Sequence, residues 1–196
     1  LQESKNEFSE SYEIRGITTT AYYRLIIPRL IPEYDKVIYS DVDVIFREDL
    51  SKYYETEMSD YYFAAVDTAS AIRPNIQKYV KEELNIDHKY GYYSGNLIIN
   101  SSLIRKDGLM AKFYELAQKK FLYQDMDIIN IVCYGRIKPL IPAFCLTNYL
   151  TETMITRRKE FLKLFPDDVI EYSLQKGIVH YNGPKPWKEM CVNFDV

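Results

Sequence analysis

Two aspartates, Asp41 and Asp43, directly follow the short apolar run KVIYS and are the residues best placed to do chemistry. In an extended chain, side chains at i and i+2 point the same way, so both carboxylates are predicted to share one side while Val42 and Val44 turn inward. Two hard oxygen ligands form a site for Mg²⁺ or Mn²⁺, and that cation would neutralise a diphosphate. A polar turn after a strand is the alternative interpretation of the same spacing.

The segment HYNGPKPW, residues 180–187, combines a second set of useful groups. His180 offers a nitrogen ligand, Gly183 lets the backbone approach a phosphate closely, and Lys185 supplies a point charge. The chain has only 2 histidines, and His180 stands where an apolar run gives way to polar residues. We predict that His180 lies within metal-ligand reach of Asp41 and Asp43, the alternative being a structural histidine.

Strands and helices are predicted to alternate along the chain. Short apolar runs predict strands at residues 36–40, 61–66, 96–100, 136–142 and 177–181, and helical periods cover residues 18–30, 103–121 and 125–134. Threonines are available to cap the first helix, and Pro28 is expected to kink or weaken its last turn. Residues 143–158 fit either a loop near the site or a short packed helix. The alternation predicts an α/β fold with a mainly parallel sheet, in which ligands bind beyond the carboxyl ends of the strands.

Composition excludes several classes of protein. The 196 residues are 47% hydrophobic, enough for one sizeable core, and a net charge of -3 with interspersed signs offers no basic stripe for nucleic acid. No apolar run approaches the roughly 20 residues that cross a bilayer, and the 3 cysteines lack C-x-x-C spacing. We therefore expect a soluble cytoplasmic protein with free thiols. Some of its 19 tyrosines could stack on a sugar or a nucleobase.

Four motifs in order resemble glycosyltransferase family 8, the group of bacterial sugar transferases. The motifs are TTTAYYRLIIPRLIPEYDKVIYSDVDVIF, YYSGNLIIN, QDMDIIN and HYNGPKPW, which together extend from about Thr18 to Trp187. The resemblance implies a retaining hexosyltransferase of the GT-A fold that uses a UDP-sugar, either UDP-glucose or UDP-galactose, with Mn²⁺ or alternatively Mg²⁺. It also implies a glycan or glycolipid acceptor such as lipopolysaccharide, with at most peripheral contact at the inner face of the membrane.

The resemblance assigns roles to individual residues. It implies a metal site, a donor site, two catalytic residues and an acceptor side. The metal ligands are Asp41, Asp43 and His180; the donor residues are Arg24, Asp41, Asp43, Ser94, Gly95, Gly183 and Lys185; the catalytic residues are Asp125 and Arg24; and the acceptor-side residues are Asp67, Tyr93 and Met126. Two positions depart from the family pattern, because Tyr93 replaces the Asn of N-A-G and Met126 replaces a Gln of Q-D-Q-D.

The resemblance also bears on domain organisation. Residues 1–196 are expected to form one partial catalytic domain, because nothing before Thr18 resembles the strand and helix with which family members begin. Two other functions remain open. The run before D-V-D-V also fits a haloacid-dehalogenase-like phosphatase, with Asp41 as nucleophile and Asp43 as general acid. A transferase-like fragment that binds sugar without turnover is the other alternative.

Overall fold

The computed structural model describes residues 8–9, 11, 13, 18–86 and 91–192, and it contains both helices and strands. These residues divide into two compact units. One unit contains the described residues up to Val37 together with Met58–Ala64 and Ile98–Lys138. The other contains Ile38–Glu57, Ala65–Leu97 and the described residues from Pro139 onward.

The strands confirm the predicted α/β fold class and add two elements to it. Five predicted strands are present, as β1 (Lys36–Ser40), β3 (Phe63–Val66), β4 (Asn96–Asn100), β5 (Ile137–Leu140) and β7 (Ile178–His180). The two additional strands are β2 (Val44–Phe46) and β6 (Leu146–Thr147). One sheet has the order β1-β4-β3-β5 and the other the order β2-β7-β6.

Strand directions differ in part from the predicted mainly parallel arrangement. Strand β3 pairs with β4 antiparallel, with Phe63 opposite Ile99, and β2 pairs with β7 antiparallel. Only the β6–β7 pair, among the three pairings described, is parallel. The alternation of strand and helix does not fix direction, because the chain between β3 and β4 can return alongside the strand it has just left.

The helices between the strands are short. They are α1 (Ile27–Leu30), α2 (Ser51–Tyr54), α3 (Pro74–Glu82), α4 (Ser101–Lys106), α5 (Met110–Ala117), α6 (Asp125–Val132), α7 (Asn148–Thr156), α8 (Arg158–Phe161) and α9 (Asp167–Gln175), with 3₁₀ helices at Thr19–Ile26, Ser70–Ile72 and Pro142–Phe144. The helix predicted over 103–121 is interrupted at Gly108, whose φ of 67° belongs to the left-handed region. Within residues 18–86 and 91–192, every helix is too short or too polar to cross a bilayer.

The first predicted helix takes a different form from the one expected. A 3₁₀ helix leads into α1, and Pro28 occupies the first turn of α1, where a proline is tolerated because no N–H is needed there. The helix predicted over residues 18–30 is thus divided just before Pro28, where Ile26 leaves helical backbone angles with φ −106° and ψ 6°. Thr18 precedes the 3₁₀ helix without capping it through its side chain, since its hydroxyl contacts that of Thr20 instead.

Each unit has its own apolar core. The first unit buries large side chains from the 3₁₀ helix, β3, α5 and α6, among them Tyr22, Leu25, Phe63, Phe113 and Ile128. The second buries Val66, Phe144, Leu146, Phe161, Ile178 and Val179. Strand β7 is buried throughout, whereas β1, predicted to be buried, is only half-buried because it is the outer strand in its sheet order.

Gly177, which directly precedes β7, is expected to be the glycine least tolerant of a side chain. Its φ is 85°, and an added Cβ would lie 1.9 Å from the carbonyl oxygen of Ala143. Gly135 has a comparable φ of 73°, but no described heavy atom lies within 4 Å of its added Cβ. We expect Gly177→Ala to lower the free energy of unfolding by about 3 kcal/mol and Gly135→Ala by about 1 kcal/mol. Urea denaturation measures both, and equal losses would show that the close approach to Ala143 is unimportant.

Candidate metal and donor site

The two aspartates lie in the connection between β1 and β2 and are fixed by main-chain hydrogen bonds. The Asp41 N–H donates to the carbonyl oxygen of Gly95 at 2.8 Å, and the Tyr181 N–H donates to that of Asp43 at 2.9 Å. The Val42 side chain is fully exposed, at 103% of its reference area, so the prediction that it turns inward is wrong. The reason is that the chain bends at residues 42 and 43 instead of continuing as an extended strand.

His180 reaches both carboxylates from the end of β7. The β2–β7 register places it opposite Val44, the residue that follows Asp43. Its Nε2 lies 3.2 Å from Oδ1 of Asp43 and 3.6 Å from Oδ2 of Asp41. Each of the three residues offers one ligand atom within 4.8 Å of the other two. The predicted proximity of His180 to the aspartate pair is thus confirmed.

The carboxylates also contact two groups besides the imidazole. Lys185 Nζ donates to Oδ2 of Asp43 at 2.6 Å and to the carbonyl oxygen of Tyr181 at 2.5 Å. The Tyr39 hydroxyl donates to Oδ1 of Asp41 at 2.6 Å. Burial alone would raise the pKa of Asp43, but the hydrogen bonds and positive charges of His180 and Lys185 outweigh it and hold that pKa well below its ordinary value. Asp43 is therefore a carboxylate at every physiological pH.

The His180 imidazole is strongly basic in this setting. Burial alone would lower its pKa, but the hydrogen bonds with Asp43 and Cys145 and the nearby charge of Asp41 raise it to about 10. At neutral pH the ring is thus an imidazolium between two carboxylates. A metal ion bound by Nε2 must displace its proton.

This exchange of a proton for a cation predicts a pH dependence. Because the ring is protonated below about pH 10, the affinity of the group for a divalent cation should rise about tenfold per pH unit between about pH 6 and pH 8, in step with the proton that binding releases. Isothermal titration at several pH values measures the slope. His180→Ala should flatten it, and an equally flat profile for the unsubstituted chain would rule out His180 as a ligand.

Sequence reasoning missed three residues that support this site. The Sγ atom of Cys145, a buried free thiol like Cys133 and Cys191, lies 3.5 Å from Nδ1 of His180. Asn148, the first residue of α7, donates from Nδ2 to the carbonyl oxygen of Pro184 at 2.8 Å and so holds the segment that carries Lys185. Tyr39 is the third. Nothing in the local pattern of F-C-L-T-N or of K-V-I-Y-S signals these contacts.

The remaining predicted donor residues of this unit are Ser94, Gly95 and Gly183. Ser94 and Gly95 are buried just before β4, and Gly95 accepts the Asp41 hydrogen bond already described. Gly183 is exposed, and an added Cβ there would meet only Asn148 Nδ2, at 3.7 Å, among the described atoms. Packing within the described residues therefore does not require a glycine at position 183, and the exposed Gly183 backbone is accessible.

Arg24 and Asp125 lie together in the other unit. Nε of Arg24 is 3.2 Å from Oδ2 of Asp125, and the two side chains are 8% and 7% exposed. Asp125 begins α6, and the preceding Gln124 has φ 46° and ψ −116°, a turn conformation that usually selects glycine. The resemblance placed both residues at the donor, and the structure brings them into one buried ion pair.

The predicted acceptor-side residues fall in both units. Asp67 directly follows β3 and accepts hydrogen bonds from the N–H and the hydroxyl of Ser70. Burial raises the pKa of Asp67 to about 7, although these hydrogen bonds act to lower it. The hydroxyl of half-buried Tyr93 accepts from Thr147 Oγ1 at 3.5 Å, and burial raises its pKa above the ordinary value. Met126 belongs to α6 in the other unit and is half-buried.

The chain is similar to several known proteins. General stress protein A of Bacillus subtilis is 29% identical over 201 residues, covering 95% of this chain and 65% of that protein. The lipopolysaccharide 1,2-glucosyltransferase of Escherichia coli is 27% identical, covering 86% and 49%. The galactosyltransferase LgtC, solved with donor and acceptor sugar analogs, superposes with a TM-score of 0.72 at 25% identity, covering 96% of this chain and 68% of LgtC.

A fourth similarity concerns the fold alone. The bifunctional glycosyltransferase WbbM superposes with a TM-score of 0.74 at 21% identity, covering 88% of this chain and 33% of WbbM. These superpositions confirm the expected GT-A type of α/β fold. The chain thus spans 65% or less of the two curated relatives named above. The sequence profile of glycosyl transferase family 8 matches residues 2–191, and the chain therefore belongs to that family.

Proposed function

We propose that this chain carries the catalytic site of a metal-dependent glycosyltransferase that moves a hexose from a UDP-sugar to a glycan acceptor. The observation that carries the proposal is the convergence of Asp41, Asp43 and His180, whose ligand atoms lie within 4.8 Å of one another. The phosphatase alternative leaves His180 without a role, although this residue contacts both carboxylates. The transferase proposal uses every residue of the group.

The donor atoms fit a divalent cation. Two carboxylates supply hard oxygens and His180 supplies a nitrogen, a mixture that favours Mn²⁺ over Mg²⁺. Bound there, the cation would act as a Lewis acid on the diphosphate of the donor. Two cationic side chains balance the two carboxylates, so the ion would compete for them with the His180 proton and with the Lys185 ammonium.

Lys185 and Gly183 are proposed to bind the departing diphosphate. The Lys185 ammonium is half-buried beside Asp43, and the exposed Gly183 two residues earlier leaves its backbone open to a ligand. A positive charge fixed where negative charge develops stabilises the transition state without reorganisation. Lys185 would therefore add to the charge of the cation as the sugar leaves.

The sugar-side roles rest on the family resemblance. Arg24 and Asp125 are proposed to orient the donor sugar and to stabilise positive charge on its ring. Ser94 and Gly95 are proposed to contact the donor. Asp67, Tyr93 and Met126 are proposed for the acceptor side. The name of the Escherichia coli relative supports a glycan acceptor such as lipopolysaccharide. Action at the cytoplasmic face of a membrane is proposed from the family resemblance alone.

A donor screen tests the proposal. The full-length protein is incubated with UDP-glucose, UDP-galactose and other UDP-sugars, with Mn²⁺ or with EDTA, and released UDP is measured. At least one UDP-sugar should raise the melting temperature and release UDP only with the cation. Release of phosphate from a generic aryl phosphate, with no response to any UDP-sugar, would replace this function by the phosphatase.

A further inference from the structure

We propose that Gly95 is a positioning residue whose missing side chain makes room for the His180 ring beside the aspartate pair. This role differs from contact with the sugar donor, because it concerns the space that the His180 ring occupies inside the protein. The inference rests on the proposed metal site for its functional consequence, but not for its structural basis. That basis is the distance from the Gly95 backbone to the imidazole.

A side chain at Gly95 would collide with the ring. An ideal Cβ built there lies 2.1 Å from Cε1 and 2.6 Å from Nδ1 of His180, and 3.0 Å from Oδ2 of Asp41. Contacts shorter than about 3 Å do not occur between real carbon atoms in close-packed interiors, so the ring would have to move. The φ of Gly95 does not lie in the left-handed region, so the backbone itself would accept an alanine. Space, not conformation, is what glycine provides here.

The ring has little freedom to move elsewhere. Its Nδ1 edge lies 3.5 Å from the sulfur of Cys145, and His180 is 5% exposed at the end of a strand paired on both sides. Its Nε2 edge lies 3.2 Å from Asp43. Displacing the ring from Gly95 therefore changes its distances to Cys145 and to the carboxylates together.

Gly95 also holds the main chain of one of the two aspartates through a backbone hydrogen bond. Its carbonyl oxygen accepts the Asp41 N–H at 2.8 Å. The same residue thus fixes the main chain of Asp41 and admits the ring of His180. A ligand set of this kind depends on such supporting contacts, whose loss commonly weakens metal binding by about 10–100-fold.

A double-mutant cycle without metal tests the inference. Gly95→Ala should lower the melting temperature of the otherwise unsubstituted protein. The same change in a His180→Ala background should lower it much less, because the obstructing ring is gone and only the 3.0 Å approach to Oδ2 of Asp41 remains. Gly91→Ala is the matched control, since its Cβ would meet Thr68 Oγ1 and Val80 Cγ2 at an ordinary 3.6 Å. Should Gly95→Ala fail to fold, the double variant should fold. An equal loss in both backgrounds, or no rescue, overturns the inference.

Titration with Mn²⁺ alone then tests the functional consequence. We expect Gly95→Ala to weaken Mn²⁺ binding by about tenfold or more and Gly91→Ala to change it less than about twofold. Unchanged Mn²⁺ affinity in a folded Gly95→Ala protein overturns the positioning role. If the unsubstituted protein itself binds no Mn²⁺, the proposed metal-dependent function fails, while the melting-temperature cycle still decides the role of Gly95.

Discussion

Asp43→Ala is expected to abolish Mn²⁺ binding and to slow sugar transfer by about 10³-fold, equivalent to about 4 kcal/mol of transition-state stabilisation. Asp43 has this effect because its carboxylate contacts two other groups of the site. Oδ1 lies 3.2 Å from Nε2 of His180, and Oδ2 lies 2.6 Å from Nζ of Lys185. Alanine removes one metal ligand and the negative charge that holds both cationic side chains. Isothermal titration with Mn²⁺ and the rate of UDP release measure the two effects.

The control for Asp43→Ala is Asp60→Ala, which removes an exposed carboxylate. It should leave Mn²⁺ affinity and the rate of UDP release within about twofold, because surface substitutions away from a site have small effects. Asp43→Asn keeps the shape of the side chain and should lose nearly as much as Asp43→Ala, since the charge is what binds the cation. Transfer that remains fully metal-dependent in Asp43→Ala would remove Asp43 from the ligand set.

Much of the fold could be predicted because strong local patterns persist in the structure. KVIYS and NLIIN form β1 and β4 with the predicted bounds, and DMDIINIV forms α6. Strands β2 and β6 were missed because they have only 3 and 2 residues, which are too few to show an alternating pattern of apolar residues. Their pairing with β7 joins residues distant in the sequence, Val44 with His180 and Leu146 with Val179, which no local pattern contains.

The candidate site was predictable where chemistry and position agreed. Asp41 and Asp43 follow the predicted strand β1, and His180 lies at the end of β7, where polar ligand groups are expected. Strands β1 and β7 belong to different sheets, and the β2–β7 pairing brings His180 to the aspartates. The inward turn of Val42 was wrong because the prediction assumed an extended chain where the backbone bends. The contact of Cys145 with His180 could not be predicted, because it joins residues through the parallel β6–β7 pairing.

Substitutions in the buried ion pair between Arg24 and Asp125 should affect folding stability and sugar transfer differently. With both side chains less than a tenth exposed, Arg24→Met leaves the Asp125 charge without its arginine and is expected to lower the free energy of unfolding by about 3–5 kcal/mol. Adding Asp125→Asn removes that charge while keeping the shape of the side chain, and should restore most of the loss. Urea denaturation measures each variant. Asp35→Asn, which breaks the exposed pair with Arg105, should cost less than about 1 kcal/mol.

Transfer activity is expected to behave differently from stability in the same variants. If Arg24 and Asp125 contact the donor sugar as proposed, the double variant regains stability but stays slow, because the groups that orient the sugar and stabilise its positive charge are both absent. The measurement is the rate of UDP release at saturating donor, compared among Arg24→Met, Asp125→Asn and the double variant. A double variant that recovers both stability and transfer would show that the pair holds the fold and takes no part in the reaction. Full stability in Arg24→Met would instead show that the buried Asp125 is held by other partners.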